Sequence, residues 1–227
     1  MSHTSGIRQA QKQKTRQALL DAALELLEGQ SLSSLGLREV TRAVGIAPTA
    51  FYRHFRSVED LGVALVEEAL GSLHPMIRTT VTPAGEGEER IARAIELIAR
   101  HVDAHPAHVR FVARERHGGV RPVREAIQEQ LARFTAEVGE ALAGDAESAG
   151  WSEEDLLMLA QLYVDQMLIT ASLFLEAPAS SPGARERVSK VAARQLRLIH
   201  VGRRHWLDGT DTAGGRRHGE GAVRGRR

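Results

Sequence analysis

The chain of 227 residues contains no cysteine, so disulfides, thiolate catalysis and cysteine-ligated zinc are excluded. The motif inventory is as sparse. There is no H-E-x-x-H, no G-x-S-x-G, no phosphate-binding Walker loop and no G-x-G-x-x-G, and no Glu is followed three residues later by His. These gaps argue against the familiar hydrolases, nucleotide enzymes and di-iron bundles, though an all-α enzyme with an unrecognised site stays open. Clean strand alternation is missing. No apolar run looks long enough for a bilayer and the N-terminus lacks a signal-peptide pattern, so a cytoplasmic protein is expected, with no cofactor. Aromatics are scarce, only nine in all.

What is present is helical periodicity. Apolar residues recur at spacings of three and four across 12–207. Leu19, Leu20, Ala23, Leu24, Leu26 and Leu27 define a first helix, with Gly29 as its expected C-cap. Leu37–Val44 and Pro48–Phe55 read as two short helices. Ser57 with Asp60 opens a fourth, and further helices fall at about 88–104, 107–117 and 122–143. Ser152 with Asp155 starts a long apolar helix, and one more follows "APASSPG". The stretch "TPAGEGEE" reads as a loop. Residues 208–227, rich in Gly and Arg, read as a disordered tail, and residues 1–11 as a flexible basic arm.

The net charge of +1 conceals a segregation. Residues 1–56 carry eight Lys/Arg against four Asp/Glu, and residues 57–207 carry seventeen against twenty-two. A basic head on an acidic body points to a polyanion bound at one end.

Three of the nine aromatics lie in "GIAPTAFYRHF", residues 45–55. Gly45 can adopt the left-handed conformation that ends one helix and permits a tight turn. Pro48 suits a first helical position. Phe51 and Phe55, four apart, share one face with Val40, Val44 and Ile46 as a small core. Thr49, Tyr52, Arg53 and Arg56 share the other. A helix spanning 48–54 is about 10 Å long, which suits a major groove about 12 Å wide. Two short helices about a glycine turn, with a polar basic outer face, make a helix-turn-helix. Lys12, Lys14 and Arg16 stand at the start of the first helix, where the dipole disfavours cations and an external phosphate would favour them.

The segment "LREVTRAVGIAPTAFYRHF" resembles the DNA-binding segment of TetR-family repressors, over about residues 12–72. The resemblance implies an all-α, TetR-like fold. A helix-turn-helix domain is expected over 12–56, with its motif at about 37–55, and a ligand-binding and dimerisation domain over 57–207. It implies double-stranded operator DNA as partner, with Arg38, Thr49, Tyr52, Arg53 and His54 at bases and phosphates. Lys14 is assigned to phosphates. Gly36 and Ala47 occupy cap positions where Ser or Thr is usual, with Glu39 expected to reach back to the Gly36 N–H. Val58 stands where many members have a phosphate-binding lysine, and Arg56 is the candidate replacement. "FVARERHGG" and "RQLRLIHVG" add a patchier similarity to the FabR/DesT group, repressors of unsaturated fatty acid synthesis that respond to acyl thioesters.

The helix over 156–177 is apolar round most of its circumference, so it is expected to be buried on several sides. With the last helix it is the expected homodimer seam, Leu168 and Leu196 included. It would also wall a cavity, with Tyr163 and Met167 as ligand contacts. Arg110, Arg114 and Arg116, with Phe111 among them, form a cationic patch suited to a phosphorylated head group, which points to a long-chain acyl-CoA. The alternative for those arginines is a solvated helix face; the alternative ligand is a bulky hydrophobic compound, as in efflux or catabolic regulators. His101, His105 and His108 resemble metal ligands superficially, but no metal site is expected.

Overall fold

The computed structural model describes residues 2–71, 73–74, 87–177 and 179–207. Among these the chain is helical, with no strand. We label the helices α1 (Ser2–Leu26), α2 (Leu37–Val44), α3 (Pro48–Phe51), α4 (Val58–Gly71), α5 (Gly87–Ala104), α6 (Pro106–Glu115), α7 (Arg121–Ala143), α8 (Glu153–Glu176) and α9 (Pro182–His205). Short 3-10 turns at Leu32–Ser34 and Ala146–Ser148 join α1 to α2 and α7 to α8. The expected tail at 208–227 and most of the "TPAGEGEE" loop lie outside the described residues.

Helices α1, α2 and α3 form a small head. Its core is Leu19, Leu20, Ala23, Val40, Phe51 and Phe55, all buried. The apolar face read from 48–55 is therefore the packed one, with the Phe51 and Phe55 rings 5.6 Å apart. Gly45 adopts φ 74°, and the Ile46 N–H reaches back to Thr41 O at 3.0 Å. That left-handed residue turns α2 into α3. Helix α3 is shorter than expected. The Arg53 and His54 N–H groups bond three residues back, to Ala50 and Phe51, which tightens the last turn away from α geometry.

Three further local expectations need correction. Helix α1 begins at Ser2 and not near residue 12. Gly29 is not left-handed: only Gly45 and Gly150 have positive φ among the described residues. The Glu39 carboxylate accepts from Gln30 Nε2 at 2.9 Å, so it is the Gln30 amide that engages it. The two capping pairs are present as read. Asp60 N–H donates to Ser57 Oγ at 3.2 Å, and Asp155 N–H donates to Ser152 Oγ at 3.1 Å.

The body is built round α8, which packs against α5, α6, α7 and α9. By length and composition α8 is apolar enough to cross a membrane, so the reading that no segment reaches that threshold was too strict; here it is the central helix of a bundle. The head core runs without a break into the body through Leu32, Leu61, Leu65, Val123 and Ile127. A second cluster, Ile95, Val102, Phe174, Ala192 and Leu196, joins α5, α8 and α9. Leu196 is therefore an interior residue, not a seam residue. Leu168 lines an internal cavity. What α8 and α9 leave exposed is another row: Met158, Leu162, Ile169, Val191, Leu198 and Val201. They recur at helical spacing on the outer face, and Leu198 is 73% exposed.

Head and body meet closely at Gly62 of α4. A Cβ there would overlap side-chain atoms of Leu32 and Val123, both buried. Overpacking such a contact costs about 1–3 kcal/mol. Gly62→Val should therefore lower unfolding stability by about 2 kcal/mol in urea titration, whereas Gly71→Val, at a position with open space, should cost less.

Candidate DNA-facing surface and effector cavity

On the head, Arg38, Thr49, Tyr52, Arg53 and Arg56 are exposed, as are Lys12 and Lys14. Tyr52 is 61% exposed although its ring edge meets Phe51 at 5.8 Å. Its body packs while its phenol faces out. Arg16 lays its guanidinium over the Phe55 ring, 4.9 Å from the centroid. That contact ties the middle of α1 to the end of the α3 turn. His54 sits between them, half-buried. Burial pushes its imidazole pKa down, and repulsion from Lys12, Arg16 and Arg53 pushes it further. Its Nδ1 is buried without a hydrogen-bond partner. Lys12, Arg16, Arg53 and His54 are thus brought together between α1 and the α3 turn, while Arg38, Thr49, Arg56 and Lys14 are exposed elsewhere on the head.

The arrangement has a pH consequence. An anion placed against Lys12, Arg16 and Arg53 would cancel the repulsion on His54 and raise its pKa. Binding would then take up a proton. Affinity for duplex DNA should rise as pH falls from about 8 to 6, more steeply than in His54→Gln, as followed by fluorescence anisotropy at fixed salt.

The cations of α6 have a different role from the one read in the sequence. Arg114 donates from Nη1 to Leu27 O at 2.7 Å and to Gln30 O, and from Nη2 to Glu28 O at 3.4 Å. Arg110 pairs with the Glu28 carboxylate at 3.1 Å. Buried Glu115 accepts the Leu32 N–H at 2.9 Å. The free carbonyls at the C-terminal end of α1 attract cations, and Arg114 supplies the cap that Gly29 does not. Phe111 is buried in the shared core. Arg110, Phe111 and Arg114 therefore fasten α6 to the head, and the structure does not bring them together with Tyr163 and Met167. Arg114→Ala should lower stability by about 1–2 kcal/mol in thermal unfolding.

Tyr163 and Met167 do line a cavity. Its first chamber, about 100 Å³, lies between α5, α7, α8 and α9. A second chamber of about 110 Å³, lined by apolar side chains and His101, shares Ala94, Val138 and Met167 with it. A third, of about 70 Å³, shares Leu70, His101 and Leu168 with the second and ends against Val109 and Val112 of α6 and against Arg116 at its C-cap. Along α8 the lining runs from Tyr163 to Ser172, a rise of about 14 Å. His101 faces the inner chambers. Burial, then His105 and His108, hold its pKa low, and no group of three side chains among the described residues is disposed to hold a metal ion.

The outer end of the first chamber is polar, a feature missed from sequence. Arg203, buried, donates to Asp145 Oδ2 at 3.2 Å and to Ser148 Oγ. Arg90 reaches the same Asp145 oxygen at 3.4 Å. Burial pushes the Asp145 carboxyl up, but the Glu147 N–H and Arg203 outweigh it and hold the pKa below the usual range. Burial lowers His200, against the opposing pull of Glu147. The available signal was register. Val188, Ala192, Leu196 and Ile199 mark the inward stripe of α9, and Arg203 continues it.

Comparison with known proteins fits this architecture. Residues 19–65 match the model of bacterial regulatory proteins of the tetR family. The match is to a TetR-type N-terminal domain, and the described helices share a TetR-like, all-α fold. Among similar solved structures is the fatty acid degradation regulator FadR from Bacillus halodurans. It shows TM-score 0.64 at 17% identity, over 90% of this chain and 97% of that one. Another is FadR from Bacillus subtilis in complex with stearoyl-CoA, with TM-score 0.63 at 15% identity over 81% and 96%. A third is AibR in complex with isovaleryl coenzyme A and operator DNA, with TM-score 0.59 at 14% identity over 79% and 96%.

Proposed function

We propose that the protein is a homodimeric repressor whose operator affinity is set by an acyl-CoA, and that it controls genes of fatty acid metabolism. The observation that carries this reading is the position of α6. One side of α6 walls the inner end of the cavity through Val109, Val112 and the C-cap Arg116. The other holds the end of α1 through Arg110, Arg114 and Glu115. A chain filling the cavity presses on the element that orients the head. The similar proteins solved with stearoyl-CoA and with isovaleryl coenzyme A support the ligand class. The FabR/DesT-like segments point the same way.

In this reading Arg53 contacts a base, with Arg38 and Thr49 beside it, and Tyr52, His54, Arg56 and Lys14 act on the phosphates. Two heads reading two half-sites require a dimer. The exposed row of Met158, Leu162, Ile169, Val191, Leu198 and Val201 is its seam. A ligand shifts operator affinity only by its differential affinity for the two head arrangements, and a coupling of about 1–3 kcal/mol is typical.

The test is operator binding by fluorescence anisotropy. Arg53→Ala should cost about 1–3 kcal/mol and relax specificity, and dodecanoyl-CoA should change wild-type affinity several-fold. Operator affinity that ignores every acyl-CoA would leave a DNA-binding protein without this effector. Leu198→Arg should give monomers in sedimentation and abolish tight operator binding, while Leu196→Arg should instead unfold the body.

A further inference from the structure

The polar end of the first chamber holds hydrogen-bond donors that the fold leaves unused. Arg203 Nε is buried and has no partner, although the rest of its guanidinium is held by Asp145 and Ser148. The Tyr163 hydroxyl makes no hydrogen bond among the described residues, and burial pushes its pKa up. Both residues line the same chamber. A buried donor without a partner, as Arg203 Nε is, is rare in folded proteins and calls for a missing acceptor. The apolar remainder of the chamber, Ile91, Ala94, Leu142 and Met167 among it, says what else that acceptor must carry.

Outside this end lies an open cleft lined by Glu88, Arg90, Glu147, Arg197, His200 and Arg204. It shares Arg90 and His200 with the chamber. Arg197 pairs with Glu88 at 3.2 Å and Arg204 with Glu147 at 2.7 Å. Both arginines are more than half exposed, so a phosphate can take either from its carboxylate at little cost.

We infer that this end of the cavity is the head-group site of an acyl ligand. Arg203 Nε and the Tyr163 hydroxyl donate to its carbonyl oxygen, and the tail runs through the second and third chambers to α6. The inference rests on the effector reading above and moves the head group from Arg110 and Arg114 to the opposite end of the cavity lining. The shared chemistry is a carbonyl oxygen on an alkyl chain, supplied by a carboxylate or by a thioester. Where the thioester carries coenzyme A, its phosphates lie in the outer cleft against Arg197 and Arg204. Tail length then decides whether the ligand touches α6, so the chamber works as a length gauge.

Calorimetry on the full chain tests this with three probes of one tail: dodecanoate, dodecanoyl-CoA and dodecyltrimethylammonium below its micelle concentration. Tyr163→Phe removes one donor and keeps the ring. It should weaken dodecanoate and dodecanoyl-CoA about tenfold, as the loss of one buried hydrogen bond does, and leave the ammonium probe unchanged. Arg197→Gln with Arg204→Gln should weaken dodecanoyl-CoA alone. Arg203→Lys keeps a cation for Asp145 and removes Nε, and its thermal melt reports whether the body still folds. Equal effects of Tyr163→Phe on all three probes overturn the head-group site while leaving an acyl effector in place. Binding of the ammonium probe with neither dodecanoyl compound bound overturns the effector reading itself.

Discussion

The structure depends on how the end of α1 is held. A helix terminus exposes carbonyls that need partners, and here α6 provides them. Arg114 takes the carbonyls of Leu27, Glu28 and Gln30, and Glu115 takes the Leu32 N–H from inside the core. Without these bonds the head would still touch the body through α4, Leu32 and Val123. The contacts left would be apolar ones and the exposed Gln17–Glu68 and Arg110–Glu28 pairs, which resist separation but specify orientation weakly. Directional bonds from one helix of the body fix the angle at which α1, and with it the cationic surface, leaves the bundle.

That arrangement makes α6 the shared wall of two compartments. Its Val109 and Val112, with Arg116 at its C-cap, close the innermost chamber, while its other side grips the head. The outer end of the cavity is anchored separately. Arg203, Asp145, Ser148 and Arg90 form a part-buried network joining α9, α5 and the turn after α7. Such a network rigidifies its end of the bundle when its members are satisfied. A rigid polar end and an adjustable apolar end together let a ligand be gripped at one place and exert its effect at another.

Much of this was legible in the sequence. The helix boundaries from 87 to 205, the capping pairs at Ser57 and Ser152, the left-handed Gly45 and the two faces of 48–55 follow from local rules, and the fold obeys them. The roles of Arg110 and Arg114 were not legible. Their partners lie 82 to 87 residues away in the chain, and a row of cations on a helix face looks the same whether it meets a phosphate, solvent or another helix's carbonyls. The short α3 escaped because i to i+3 bonding in its last turn leaves the side-chain spacing almost unchanged. Arg203 escaped because periodicity was read from apolar residues, so a buried arginine in the stripe marked an end instead of a site. Leu168 was assigned to a seam because α8 is apolar nearly all round, and Leu196 because α9 was taken as its partner in that seam; composition cannot tell a cavity wall or a core position from a subunit contact.

The central claim is that Glu115 and Arg114 hold the head through bonds to the segment that leads from α1 into the Leu32–Ser34 turn, and the Leu32 amide reports on it directly. Its hydrogen-bond partner is the buried Glu115 carboxyl. Native-state hydrogen exchange of that amide in the wild type should require opening of the head–body contact, with protection close to that of the core amides. In Glu115→Ala the same amide should exchange at least about a hundredfold faster while amides in the middle of α8 are unchanged. Equal protection of Leu32 in the two proteins would contradict the account.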